Sequence, residues 1–366
     1  MSVPLKEIAQ HTGLSIAAVS QALRGIGRIS TKTREKVLKA AKSLGYQRDP
    51  LLSQAFSRMR QPSQLRYRET IALLTEWEMK ATDENHRRIR DAAMKQSESM
   101  GYKLEVFTVS GNPREQRRVS RVLQARGIRG LIILPRLDHP QPRLHFDWDR
   151  FAAVAIGRTL SHPRNLDRVE TGIYHKIIEA LHLLKKVGYR RIGMAIEPAQ
   201  NIHHRGAYYA AFLFSQLRLP ARQRIPILAP RGAWNEKSFQ LWMTQNKPDV
   251  LIAHAVVAPK IAKWLSAMNL RIPEDVSLFC VNILEGDWSG LSRDVDHIGQ
   301  AAVEMLSLLL LNGKLGLPNN PRCLQIDEFW RPGKTLSRSI ARYLSPEGVL
   351  KTGLMRPLIE KATVDD

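Results

Sequence analysis

Apolar and polar positions alternate in two different rhythms along the chain. Over residues 1–46 the apolar residues recur at helical intervals. Leu5, Ile8 and Ala9 share one face, and "TGLS" then supplies a glycine turn and a serine, Ser15, suited to cap a second helix. Ile16, Val19 and Leu23 form the next apolar face. A third helix, capped by Ser30 or Thr31 and ended by Gly45, turns Val37, Leu38, Ala41 and Leu44 inward. Two short helices, a glycine-bearing turn and a third helix closing the core make an all-α helix-turn-helix headpiece.

Residues 47–69 read as a hinge helix and linker. Asp49 can cap a short helix with Pro50 at its first position, where a missing N–H costs nothing, and Pro62 stops it. From residue 70 to 336 the rhythm becomes β–α–β–α. Strand candidates are "TIALLT", "KLEVFTV", "GLIILP" and "FAAVAIG", then "RIGMAI", "IPILAP", "DVLIAH" and "VSLFCVNI". Amphipathic stretches such as "REQRRVSRVLQARG", "IYHKIIEALHLLKKVG" and "APKIAKWLSAMNL" intervene. Short apolar strands alternating with helices imply parallel sheets covered on both faces, and two runs of four strands imply two similar α/β lobes. Residues 337–366 show weak periodicity and read as a loosely held C-terminal tail.

Charge narrows the partner. The chain has 366 residues and a formal net charge of +22, with hydrophobic residues at 43%. A surplus of that size favours polyanions, meaning nucleic acid or an anionic membrane surface. No apolar run reaches membrane-spanning length, and "MSVPLKEIAQHTG" lacks the apolar core of an export signal, so no membrane and a cytoplasmic location are expected. Within residues 1–60 there are 11 Lys/Arg against 3 Asp/Glu, which puts part of the surplus on the headpiece. Cys280 and Cys323, the only cysteines, fit a reducing compartment and do not make a metal site.

The segments "LKEIAQHTGLSIAAVSQALRG" and "RISTKTREKVLKAAKSLGY", followed by a proline-bearing hinge, resemble the lac-repressor-type (LacI/GalR) family of bacterial transcription regulators. "LLKKVGYRRIGMAI", "LRIPEDVSL" and "IGQAAVEMLSLLL" follow in the family's order, and the resemblance covers residues 3–336. The closing "GLPNNPRCLQIDEFWRPGKTL" is similar to a xylose-type subgroup. The resemblance implies a headpiece, a hinge helix and a two-lobed effector domain of the type I periplasmic-binding-protein-like fold. It also implies a homodimer on a near-palindromic double-stranded DNA operator, controlled by a sugar or sugar derivative between the lobes. Half-sites then follow the dimer's two-fold axis.

Under the resemblance, Ser15, Ser20, Ser30, Thr33 and Arg34 fall where the family contacts phosphates, which set register without reading sequence. Ile16, Ala17, Gln21, Arg24 and Arg28 fall at or near base-reading positions. Gln21 can bond adenine through two hydrogen bonds, and Arg24 or Arg28 guanine. The competing readings are a solvated helix face for Gln21 and core packing for Ile16 and Ala17, although Ala17 at an outward position can meet a thymine methyl. The position from which the family wedges a leucine into the minor groove is Ala55 here, with Leu52 or Phe56 able to wedge if the register shifts. A hinge that packs only against its dimer mate is the alternative.

In the effector domain, Arg205 of "HHRGAYYAAF" matches an arginine that holds sugar hydroxyls, and Trp234 matches an aromatic stacking position whose alternative is a core tryptophan. Asn282 stands where an aspartate is usual. "LIAHA" has His254 and Ala255 in place of Asn-Asp, and "VETG" lacks Asp-Asn. Alanine cannot accept the hydroxyl hydrogen bonds that aspartate accepts, so a regulator that has lost its effector is a rival reading. A carbohydrate-acting enzyme with a basic anchor is the rival from another class. Against it, the chain has no G-x-S-x-G, Walker loop or dinucleotide-binding glycine fingerprint, and no cofactor or catalytic residue is expected. His203-His204 lacks a matching metal partner. The carboxylate pairs Asp147/Asp149 and Glu285/Asp287 read as loop or cap residues, and "VSGNPREQRRVSR" as a helix cap followed by a solvated basic face.

Overall fold

A computed structural model describes residues 5–24, 29–44, 69–76, 84–135, 142–217, 219–228 and 234–349. The chain divides into two compact units, residues 1–65 and 66–366.

Among its described residues the first unit has three helices, α1 (Leu5–Thr12), α2 (Ile16–Arg24) and α3 (Thr31–Ser43). Ile8, Ala9, Val19, Ala22, Val37, Ala40 and Ala41 form its core, four of the seven being alanine, which lets the short helices approach closely. Gly13 makes the α1–α2 turn at φ +67°, a left-handed conformation that glycine adopts without a steric penalty. Lys36 Nζ donates to Thr12 O at 2.9 Å and ties α3 back to that turn. One sequence expectation fails in α3. Leu38 is 47% exposed, and Ala40 takes the inward position next to Val37 and Ala41.

The second unit holds two α/β lobes. The first has a six-stranded sheet in the order β10-β5-β4-β3-β1-β2, all pairs parallel: β1 (Glu69–Thr75), β2 (Tyr102–Thr108), β3 (Gly130–Ile133), β4 (Ala152–Ile156), β5 (Asp167–Thr171) and β10 (Cys323–Ile326). Its strands are apolar on both sides because both faces are covered. Ile71 and Leu73 face α4 (Glu84–Ser99) and α11 (Val295–Leu311), while Ala72 and Leu74 face the side covered by α5 (Pro113–Ala125). Gly299 lets α11 lie against α4, since a Cβ there would sit 2.4 Å from Ile89 O.

The second lobe has a five-stranded sheet, β11-β9-β8-β7-β6, parallel except for the last strand: β6 (Ile192–Ala195), β7 (Val250–His254), β8 (Ser277–Ile283), β9 (Ser289–Ser292) and β11 (Phe329–Arg331). Val250 and Ile252 face α6 (Ile173–Lys186) and α8 (Ala207–Gln216), which follows the short α7 (Pro198–His203). Leu251 and Ala253 face α9 (Glu236–Asn246) and α10 (Ala258–Ala267). The chain crosses between the lobes after β5, after β9 and again between β10 and β11.

The expected two runs of four strands become six and five. Residues 225–228 of the expected strand "IPILAP" form no strand, although Ile225, Ile227 and Leu228 are buried in the core. β5, β9, β10 and β11 were not expected. β5 is charged, and its charges are satisfied inside the fold: Asp167 pairs with Arg322 at 2.6 Å and Glu170 with Arg158 at 2.5 Å. Residues 337–349 are also not loose. Ile340 and Leu344 are buried against the second lobe, and Ser337 N donates to Ser277 Oγ at 3.0 Å.

Candidate DNA-reading face and effector cleft

The first unit presents the N-termini of two helices with their caps in place. Ser15 Oγ accepts from Ala18 N at 3.2 Å, and Ser30, the cap of α3, accepts from Thr33 N at 3.2 Å. A hydroxyl that accepts still has a proton to donate, and a helix N-terminus attracts anions, so both serines can meet phosphates without losing their capping role. Ser30 Oγ also lies 2.8 Å from Thr33 Oγ1, and Arg34 beside them is exposed.

On α2 the buried ridge is Val19 and Ala22, with Leu23 packed at its border. Gln21 is exposed and Ser20 half-buried. Ile16, expected on the apolar face, is 48% exposed, so the core-packing alternative does not describe it. The surface of α2 therefore offers an apolar group at its first turn and an amide a turn later. Ala17 and Arg24 are on α2, but their side chains lie outside the described residues, as do Arg28, Leu52, Ala55 and Phe56 altogether.

In the second unit, polar groups gather where the parallel strands of both sheets end, the usual ligand position in open α/β sheets. Arg205, held at φ +55° between α7 and α8, reaches from the second lobe to the first: Nε donates to Arg158 O at 3.0 Å and Nη2 to Leu160 O at 3.5 Å. The segment it grips is braced from below by buried Arg168, whose Nη1 donates to Gly157 O at 3.0 Å.

Asn282, at φ +58°, lies with its side-chain amide 2.9 Å from Nε2 of buried His254. Val256 N donates to His254 Nδ1 at 3.3 Å, so the ring proton belongs on Nε2. As placed, Asn282 Nδ2 faces that nitrogen and its buried Oδ1 has no partner among the described residues; turning the amide to present its oxygen satisfies the ring proton. His254 stays neutral because burial, and then the charge of Arg293, push its pKa down to about 4. Burial likewise brings His204 down to about 3, again with Arg293 adding to it. Arg293 follows β9; its Nε is buried with no hydrogen-bond partner, and burial lowers its pKa. Burial lifts the carboxyl of Glu328 to about 7, opposed by Arg293.

Of the four effector residues read from sequence, the structure brings His254 and Asn282 together and sets Arg205 on the boundary between the lobes. Trp234 instead flanks the core of the second lobe, 5.0 Å from the Trp264 ring, with Lys260 Nζ 5.0 Å above it. Sequence reasoning missed Arg168, Arg293, Glu328 and His204. Arg168 lies in the polar strand β5, Arg293 just beyond β9, Glu328 between β10 and β11 and His204 at the end of α7, so no apolar run marked them.

Residues 4–49 match the family described as bacterial regulatory proteins, lacI family, and residues 181–324 match the periplasmic binding protein-like domain. No curated protein matches the sequence. Among solved structures, a transcriptional regulator CelR–cellobiose complex is 18% identical at TM-score 0.54, over 91% of this chain and 99% of that one. The lac repressor dimer bound to operator and the anti-inducer ONPF is 17% identical at TM-score 0.52, over 92% and 100%. A putative Lacl-family regulator from Rhizobium etli is 16% identical at TM-score 0.56, over 73% and 98%. The chain thus carries a lacI-type helix-turn-helix region at residues 4–49, followed in sequence by a two-lobed domain that matches the periplasmic binding protein-like family over residues 181–324.

Proposed function

We propose that the protein is a cytoplasmic transcriptional repressor without catalytic activity. It binds a near-palindromic operator as a homodimer and is controlled by a small hydroxylated, sugar-like effector between the lobes of its second unit. The observation that carries the DNA reading is the surface of α2, where Ile16 and Gln21 stand exposed while Val19 and Ala22 hold the helix in its core. Ile16 and Ala17 favour thymine methyls, Gln21 adenine, and Arg24 or Arg28 guanine, while Ser15, Ser20, Ser30, Thr33 and Arg34 hold phosphates. The lac repressor's operator-bound dimer and the CelR–cellobiose complex support operator, dimer and sugar together.

Binding-site selection with the full chain tests this reading. A two-fold symmetric site bound with a steep salt dependence is expected, because several phosphates are neutralised per dimer. A flat salt response or an unsymmetrical product refutes it. Turnover of a sugar by the protein lacking residues 1–60 would restore the enzyme reading.

One observation favours a second reading, an effector-independent regulator: Arg205 is already engaged by carbonyls of the opposite lobe. Thermal-shift screening against sugars and sugar derivatives separates the two. A real effector at a hundred times its dissociation constant adds about 2.7 kcal/mol.

A further inference from the structure

A cavity of about 780 Å³ opens on the flank of the first lobe, lined by Arg114, Arg117 and Arg121 of α5 and, opposite them, by His145, Trp148 and His162. That volume is in the range of small-molecule sites. Its wall is built rather than accidental. One ridge of α5 clamps the facing segment: Gln116 donates to Arg143 O at 3.1 Å and accepts from His145 N at 2.9 Å. Ser120 accepts from Asp147 N at 3.2 Å, and Gln124 donates to Asp147 Oδ2 at 3.3 Å. The segment therefore runs along the helix, with the histidine end beside the helix's first turns and the aromatic end beside its last.

The arginines stand on the adjoining ridge and, among the described residues, none of the three has a carboxylate partner. Elsewhere in the same unit Arg88, Arg126, Arg129, Arg158 and Arg322 are each paired with an acid. Among the described residues the one carboxylate lining the cavity is Asp147, which is already held by Gln124. His145 and His162 approach with ring centroids 6.3 Å apart, and burial together with His162, Arg117 and Arg143 pushes the His145 pKa down. Three guanidiniums around one space repel one another. An anion relieves that repulsion. Arg114 and Arg121 are seven positions apart, about 10 Å of helix, more than one phosphate occupies. At the other end Trp148 stacks on Phe146, centroids 5.6 Å apart and planes inclined 26°, with the tryptophan half-buried.

We propose that this cavity is a second ligand site, separate from the cleft between the lobes, and that it takes a nucleotide. Its phosphates lie between Arg114, Arg117 and the two histidines, and its base lies against Trp148 near Arg121. Guanidinium forks match phosphate oxygens, and a base stacks on an indole face. The basic run in "NPREQRRVSR" is thereby a ligand wall rather than only a solvated face.

Calorimetric titration of the full chain with ADP, pyrophosphate and adenosine tests the assignment. ADP is expected to bind more tightly than pyrophosphate, and adenosine most weakly. Arg117→Gln combined with Arg121→Gln should weaken ADP about tenfold or more, the effect of losing charge-assisted hydrogen bonds. Both are surface changes and should leave the melting temperature within about 2 °C. Trp148→Leu, which keeps apolar volume, should weaken ADP and leave pyrophosphate unchanged. Equal affinity for ADP and pyrophosphate would overturn the nucleotide assignment. So would ADP binding that survives the double substitution but is lost in Arg205→Ala, which moves the ligand to the cleft. Absence of ADP binding, with duplex DNA affinity reduced by the double substitution, would make the arginines a nucleic-acid contact and also overturn it.

Discussion

Arg205→Ala is expected to loosen the closure of the two lobes even when no effector is present. Arg205 belongs to the second lobe and donates to Arg158 O at 3.0 Å and Leu160 O at 3.5 Å in the first. A hydrogen bond from a charged donor contributes about 1.5–3 kcal/mol when shielded from water. Arg205 is exposed, so water recovers part of that, and the second contact lies at the limit of hydrogen-bond distance. About 1 kcal/mol remains, which changes the ratio of closed to open forms about fivefold. Arg205→Lys keeps the charge but loses the planar fork, and should fall between the two. Small-angle scattering of ligand-free protein would register the shift as a larger radius of gyration. Hydrogen exchange would register it as faster exchange across residues 157–161. If the alanine variant matches wild type in both, Arg205 is no latch, and the tie between the lobes must be sought elsewhere.

Gln21→Ala should relax preference at one base pair per half-site by about 1–3 kcal/mol, and unchanged specificity in a binding-site selection removes Gln21 from the reading set. Ser30→Ala removes the cap of α3 and should destabilise that helix by about 1 kcal/mol, read as faster amide exchange in its first turn. Glu328, held at about 7 against an ordinary 4.5, binds its proton more tightly in the folded state, so its contribution is full below pH 4.5 and is lost as pH rises through 7. Glu328→Gln keeps the protonated shape and should gain about 2–3 kcal/mol over wild type at neutral pH in urea unfolding, with the two converging towards pH 4.5. His204 and His254, held at about 3 and about 4 against 6.5, act in the opposite sense. Their contribution is full above pH 6.5 and is lost as pH falls towards 4, so the variant should lose stability in acid more steeply than wild type.

Much of this fold was legible because its elements are driven by apolar periodicity. Ile71 to Leu74 and Val250 to Ala253 are apolar without interruption because each sheet is covered twice, and such runs announce buried parallel strands. β5 was not legible. "DRVET" reads as polar, and only ion pairs with Arg158 and Arg322, distant in sequence from one end or the other, allow it inside. Ile16 shows the same limit from the other side. Periodicity groups it with Val19, and only the placement of α1 and α3 leaves it exposed. Arg205 was picked out from sequence, but its engagement by the opposite lobe could not be, because a contact between lobes has no period. Arg293 and Glu328 were hidden for a related reason: each stands at a crossing point, where neither strand nor helix pattern applies.

Those crossings also bear on how the protein is made. The strands at 323–326 and 329–331 are edges of the first and second sheets respectively, so one short segment completes both. Neither lobe has its described set of strands until residues 323–331 have been synthesised, whereas helices α1 to α3 need only the residues up to 43. A nascent chain can thus carry a finished DNA-reading head well before it has a sensor to restrain it. A truncation near residue 320 would leave two frayed lobes rather than one intact lobe and one missing.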